Sequence, residues 1–491
     1  MTGAEVIAHA GRRWVVPVGI GLFALLCVLI NPVGYIGASG DDGRYHEAAL
    51  CWANSHAVCL PNDHWSSRWP VIAPLAAGIA LLGDGRAAMA IGPLLYWAMA
   101  LLLIHQLGRL WISTDAGRVA ASIMAATPVL TSQALQPTAD VVELAWQLAA
   151  LVAATRAYQS QSVRWALAAG VCAGLVFQVR ETSALFIMVS ALAWLTLGRE
   201  RRTVLLFAIP ALAATIGVEI LVYWLATGNP LGRYALAFGH VAIATSELPL
   251  GFDTSQSPMF NPAYIAAWKR EMLIEWAWPL DPWLNLLASL RIGATLWAAI
   301  LAAIFFRKLL EPAVRQRLAL MGGGALLVSA LLIYALALDP KSRLFLLLAA
   351  ASALIAGAFI GPALRRANNL LAVALLGLVL AISGVILHLS PTIAPLEPAA
   401  KRWIAADGDR IETDPTSRGY LIFVPGADRL PDIGSGRPLR LSVTLGTCAD
   451  KAAAIGREEA ARVDLLEQRV RGTPAEGQFE LCLLRISPTS D

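Results

Sequence analysis

Residues 69–83, WPVIAPLAAGIALLG, are the stretch on which the topology of this chain turns. They are apolar, yet crossing a hydrocarbon core of about 30 Å takes a helix of about 20 residues. A run this short, with Pro70 and Pro74 inside it and polar segments on both sides, fits a helix lying in the membrane interface. The chain as a whole is built for lipid. Of its 491 residues, 57% are hydrophobic and 15% charged, and the mean hydropathy is +0.62, far from the soluble norm.

Outward from this stretch, apolar runs near 14–36, 87–111, 117–135, 139–158, 164–179, 183–198, 203–227, 286–306, 318–338, 343–362 and 368–390 predict about eleven spans. The first follows Arg12 and Arg13 and precedes the small residues Gly37, Ala38 and Ser39, but it is longer than a signal-peptide core and reads as an uncleaved anchor. With 69–83 outside the count, one side collects the basic residues, from Arg12 and Arg13 through Arg109, Arg118 and RERR (199–202) to Arg365 and Arg366. That side is the cytoplasm. The net charge of +4 and pI near 8.8 then reflect sorting across a membrane, and nucleic acid is excluded as a partner.

The opposite face receives the loop 37–86, turns near 136–139 and 180–182, the long segment 228–285, the turn DPKSR (339–343) and everything after 390. The expectation is a multi-pass protein of a bacterial inner (plasma) membrane, N-terminus cytoplasmic and tail periplasmic. Its fold class is mainly α: a polytopic helical bundle over 1–390, with interfacial helices in the first outer loop, and a small α/β domain over 391–491. The tail reading rests on β-like runs YLIFV (420–424), LRLSVTL (439–445) and FELCLLRI (479–486), and a helix-like stretch around 450–471. Cys51 with Cys59 and Cys448 with Cys482 form two candidate disulfides, each within one outward region; four buried thiols are the alternative.

Asp41 and Asp42 stand side by side at the outer edge of the first span. Capping of a short helix explains them locally, but Asp140 adds a third carboxylate at the outer end of another span, where an ionisable group is costly. Cations share that face. Arg68, Arg180, Lys341 and Arg343 are candidates for holding a phosphate, and Tyr45, His64, Arg233 and His240 for contacting substrate; pairing with the acids or with lipid headgroups is the alternative for each cation. There is no H-E-x-x-H, no C-x-x-C and no P-loop. No cofactor is required, and a divalent metal is left open. MGGGA (321–325) reads as close helix packing.

DDGRYHEAA (41–49), HWSSRWPVIAP (64–74), QPTAD (136–140) and DPKSR (339–343) together resemble the polyprenyl-phosphate-dependent membrane glycosyltransferases of the C-type fold, which include lipid A aminoarabinose transferases and protein O-mannosyltransferases. The resemblance covers the membrane region and not the tail. It implies that Asp41 matches the catalytic acid of the first outer loop, that Asp140 matches the second acidic position, and that Lys341 and Arg343 lie in a turn facing the lipid phosphate. Asp42 stands where many relatives have Glu, which leaves open which acid touches the acceptor.

The chemistry coheres independently. A lipid phosphate leaves as a stable anion, its second pKa being about 6, so the leaving group needs a cation and the acceptor hydroxyl needs a base. Single displacement with inversion follows, from a polyprenyl-phosphate sugar to an acceptor protein, lipid or glycan. A flippase of lipid-linked sugar, or a polysaccharide polymerase or ligase using 228–285, are the rival readings.

Overall fold

The computed structural model describes residues 41–55, 65–196, 202–237, 279–306, 310–336, 342–365, 396–444, 447–458, 461–473 and 477–488, with isolated positions such as Leu22, Cys59 and Trp276 and several between 370 and 385. The spans expected at 14–36 and 368–390, and most of segment 228–285, therefore lie outside the described residues.

The first described element is helix α1 (Asp41–Ser55), with both acids in its first turn, where the helix dipole favours negative charge. The deciding stretch follows as α2 (Trp69–Leu82). Pro70 sits in its first turn, where a missing N–H costs nothing, and Gly83 ends it at φ 78°. This helix of 14 residues packs against α1 on one side and α3 (Arg86–Trp111) on the other. It is too short to cross.

The bundle continues with α4 (Thr114–Ala126), α5 (Ala139–Ser160), α6 (Val163–Val179), α7 (Ala184–Thr196), α8 (Arg202–Thr227), α9 (Asp281–Ala288), α10 (Gly293–Phe306), α11 (Pro312–Ala330) and α12 (Leu346–Arg365). Among the described residues, 4 helical segments are long and apolar enough to cross a membrane, or up to 5 if a bent pair counts as one. Two expected runs are not continuous. The run 286–306 is divided between α9 and α10, which meet at 95°. The run 117–135 breaks at Thr127, because Pro128 cannot donate to the preceding turn and starts a separate short helix, Pro128–Thr131.

Helix α12 forms the centre of the bundle, packed by α4, α10 and α11. Gly357 and Gly361, one turn apart, let it lie directly on α4: a Cβ at either would come within 2.5 or 2.8 Å of Ala116 backbone atoms. Small residues at this spacing are how helices approach closely without a hydrophobic driving force. In MGGGA, Gly322 approaches Ile355 of α12, whereas Gly323 faces open space.

The tail comprises α13 (Glu397–Asp407), β1 (Ile411–Thr413), α14 (Pro415–Tyr420), β2 (Leu439–Thr444), α15 (Cys448–Glu458), β3 (Ala461–Thr473) and β4 (Gly477–Pro488). The sheet order is β1-β2-β4-β3, with β1 and β2 parallel and the other pairs antiparallel. Trp403, Leu421, Leu441 and Leu483 share its core. The expected strands at 439–445 and 479–486 are present as β2 and β4. YLIFV is not a strand: Tyr420 ends α14, and the following residues turn so that Leu421 and Val424 enter the tail core while Phe423 packs on His46 of α1 and Arg86 of α3. The helix expected over 450–471 stops at Glu458, and the remainder pairs with β4 as β3.

Both candidate disulfides are formed. Cys51–Cys59 closes the loop after α1, and Cys448–Cys482 ties α15 to β4.

Candidate functional site

Four separate segments bring charge to one end of the bundle: the first turn of α1, the first turn of α5, the turn between α6 and α7, and the 3-10 turn Ser342–Phe345 that leads into α12. Each is a helix terminus, where backbone dipoles and short turns let polar side chains converge without interrupting an apolar span.

Asp41 accepts a hydrogen bond from Trp65 Nε1 at 2.9 Å. Its other oxygen lies 3.5 Å from Arg343 Nη2, and Arg343 Nε lies 3.9 Å from an oxygen of Asp140. Arg343 thus stands between the two carboxylates, held loosely by both, with its side chain 40% exposed. Asp140 is nearly sequestered at 2% exposure and is held on its other oxygen by Arg180 at 2.8 Å. Arg180 also reaches Glu143 at 3.2 Å. Burial opposes the charge on Arg180, but the adjoining Asp140 and Glu143 carboxylates raise its pKa, so it remains a cation.

Glu143 has no place in the sequence reading, although it stands three residues after Asp140 and so on the same helix face. Its carboxylate also accepts from Ser183 Oγ at 2.6 Å and Gln147 Nε2 at 3.0 Å. That i, i+3 spacing was the signal available.

The other candidates separate. Asp42 is buried within the α1 packing. Arg68 donates to the buried Tyr45 hydroxyl at 2.5 Å, and burial raises the Tyr45 phenol despite that cation. Arg233 is 1% exposed; it pairs with Glu219 and Glu181 and donates to the Gln178 carbonyl. Glu181 follows Arg180 directly, so the two ion clusters share one turn. His64, His240 and Lys341 lie outside the described residues.

The polar end opens into a small cavity of about 20 Å³ bounded by Asp140, Glu143, Gln147, Ser183 and Arg343, among others. Phe186, Val328 and Leu347 line both this cavity and an apolar one of about 240 Å³. The larger cavity extends to Tyr158 and Gln159 in the last turn of α5, about 27 Å from Asp140 at 1.5 Å per helical residue. A polar mouth on an apolar groove suits an amphiphile. Among the described residues no three His, Cys, Asp or Glu side chains gather to share a metal ion; Asp140 and Glu143 share Arg180 instead.

Known proteins resemble the chain in part of its sequence and in its fold. Residues 68–225 match the family model described as dolichyl-phosphate-mannose-protein mannosyltransferase. No curated protein matches by sequence. Among solved structures, the apo oligosaccharyltransferase of Archaeoglobus fulgidus has a TM-score of 0.50 at 13% identity, covering 92% of this chain and 70% of that one. The AglB oligosaccharyltransferase of the same organism, in complex with an inhibitory peptide and a dolichol-phosphate, has a TM-score of 0.49 at 13% identity and 86% coverage, and the chain spans 61% of its length. Apo ArnT from Cupriavidus metallidurans has a TM-score of 0.42 at 14% identity, covering 97% and 98% of the two chains. The family match over residues 68–225 and the shared fold agree with the resemblance read from the sequence, as do the 4 or 5 described segments long and apolar enough to cross a membrane.

Proposed function

We propose that this chain is an inverting glycosyltransferase that moves a sugar from a polyprenyl-phosphate donor to an acceptor at the extracytoplasmic face of a bacterial inner membrane. Residues 1–390 form the transferase domain, and 391–491 a separate extracytoplasmic module. The observation that carries this reading is Arg343, loosely held between Asp41 and Asp140 at the polar mouth of the apolar cavity. The match to a family named for dolichyl-phosphate mannose supports the same donor class.

The roles follow from exposure and charge. Asp41, partly exposed and carrying no tight cation among the described residues, is the general base that takes the proton from the acceptor hydroxyl as that oxygen attacks the anomeric carbon. The anomeric carbon–phosphate bond breaks in the same displacement, and the electron pair leaves on the phosphate oxygen. Arg343 neutralises the charge gathering there. Asp140, fixed by Arg180, orients Arg343 and the acceptor. The prenyl chain lies along the apolar cavity beside α5.

A flippase would place its binding groups near the bilayer midplane on broken helices. Here the charged groups stand at helix ends, which favours transfer. The deciding experiment incubates the purified protein in vesicles with a polyprenyl-phosphate sugar and an envelope acceptor fraction, and reads release of lipid phosphate and the anomeric configuration of the product by NMR. Donor crossing the bilayer with its phosphate–sugar bond intact would replace this reading with the transporter. A cytoplasm-only reporter tests the orientation: it should be inactive when fused after Asp491 and active in the 199–202 loop.

A further inference from the structure

We infer that the tail positions the helix that carries Asp41, through a latch in which Glu397 and Phe423 of the tail seat on Arg86 and His46 of the membrane domain. The importance of this positioning for turnover rests on the reading of Asp41 as the base; the latch itself does not.

The turn between α2 and α3 is gripped from two sides. Towards the bundle, Asp84 lies 2.7 Å from His46 Nε2, and His46 is a buried residue in the N-terminal half of α1. Towards the tail, Arg86 directs Nε, at 2.9 Å, and a terminal nitrogen onto one oxygen of Glu397, in the first turn of α13. Phe423 closes the gap between these contacts. Its ring centroid lies 5.6 Å from that of His46 and 5.3 Å from the Arg86 guanidinium carbon.

The placement of Phe423 distinguishes a latch from incidental contact. Its neighbours Leu421 and Val424 belong to the tail's own core, but Phe423 packs with the cluster of α1 and α2 around Tyr45, Ala49 and Val71. An aromatic ring left exposed on the tail would have no compensating contact there. Helix α1, with 15 residues, is of a length that is marginal alone in water. Its C-terminal end is stapled by Cys51–Cys59, so its N-terminal half is the part whose position is set by packing, and that half carries Asp41.

Hydrogen–deuterium exchange on the full-length protein in detergent micelles tests this without any sugar donor. In the Phe423→Ala, Glu397→Gln double variant, amides of 41–48 should exchange about tenfold faster or more, as expected when a charge-assisted contact and an aromatic contact are removed. Amides of β2 and β4 should keep their protection, and Phe423→Tyr should exchange like the parent. Unchanged exchange over 41–48 overturns the latch. If the double variant loses tail protection, Glu397→Arg replaces it as the test, because it reverses one charge and leaves the tail core intact; unchanged exchange there overturns the latch equally. Loosened α1 in a protein whose parent shows no glycosyl transfer would sustain the latch and remove the transferase reading.

Discussion

Arg343 and Arg233 each stand between two carboxylates, yet their surroundings differ in every respect that matters to a ligand. Arg233 is 1% exposed, bonded to Glu219 and Glu181 and to the carbonyl oxygen of Gln178. Arg343 is 40% exposed and makes contacts of 3.5 and 3.9 Å. A buried guanidinium with its donors occupied has nothing left to offer a phosphate, and removing it would strand two acids. A half-open one with long contacts can trade them for a bound anion. On the proposed reading Arg343 is, among the described residues, the cation open to a donor phosphate, whereas Arg233 fastens α8 to the α6–α7 turn.

Four substitutions would break or sharpen that contrast. Asp41→Asn keeps the side chain's size and removes the base, so turnover with a lipid-phosphate sugar should fall by about 10²–10⁴-fold, measured with saturating donor. Near-normal turnover would leave helix capping as the role of Asp41. Arg233→Ala should cost about 3–5 kcal/mol of stability by leaving Glu219 and Glu181 unpaired in a buried site, read from denaturant unfolding in micelles. If it unfolds like the parent but loses donor affinity, the two arginines have exchanged roles. Arg343→Ala should leave stability nearly unchanged and weaken binding of polyprenyl phosphate by about 1.5–3 kcal/mol, measured by calorimetric titration. At the small end, Arg462 pairs with Asp464 on exposed β3. Its replacement by Ala should shift stability by no more than about 1 kcal/mol, and a larger shift in unfolding midpoint would show that exposure is a poor guide to these ion pairs.

The sequence made the ends of the helices legible, and with them the face on which Asp41, Asp140, Arg180 and Arg343 meet, because an apolar run locates its own termini. It did not make the pairing legible. Arg180, a phosphate candidate for which pairing with the acids was the alternative, holds Asp140 and Glu143, and which cation meets which acid is decided by how α5, α6 and α12 pack. Glu143 was readable from its spacing to Asp140 but sat inside a run dominated by Ala, Val and Leu. In the tail, YLIFV misled because five apolar residues suit a strand or a turn that divides its side chains between two cores. The charged stretch from 461 alternates only weakly, so its membership in the sheet comes from its pairing with β4.

The Cys51–Cys59 bond has a consequence for the order of assembly. Its two thiols are separated by 8 positions, so on the proposed topology the link can close as soon as the first outer loop has been translocated, while nearly all later helices are still unmade. The carboxylate of Asp41 is then presented on a tethered scaffold long before the ribosome reaches Arg343. The site is completed by a late arrival docking onto an early template, and the Cys448–Cys482 bond, closed last, locks the module that Phe423 presses against that template. A cell unable to oxidise thiols outside its cytoplasm should therefore accumulate chains whose helices are inserted but whose first loop never becomes a fixed partner for the rest.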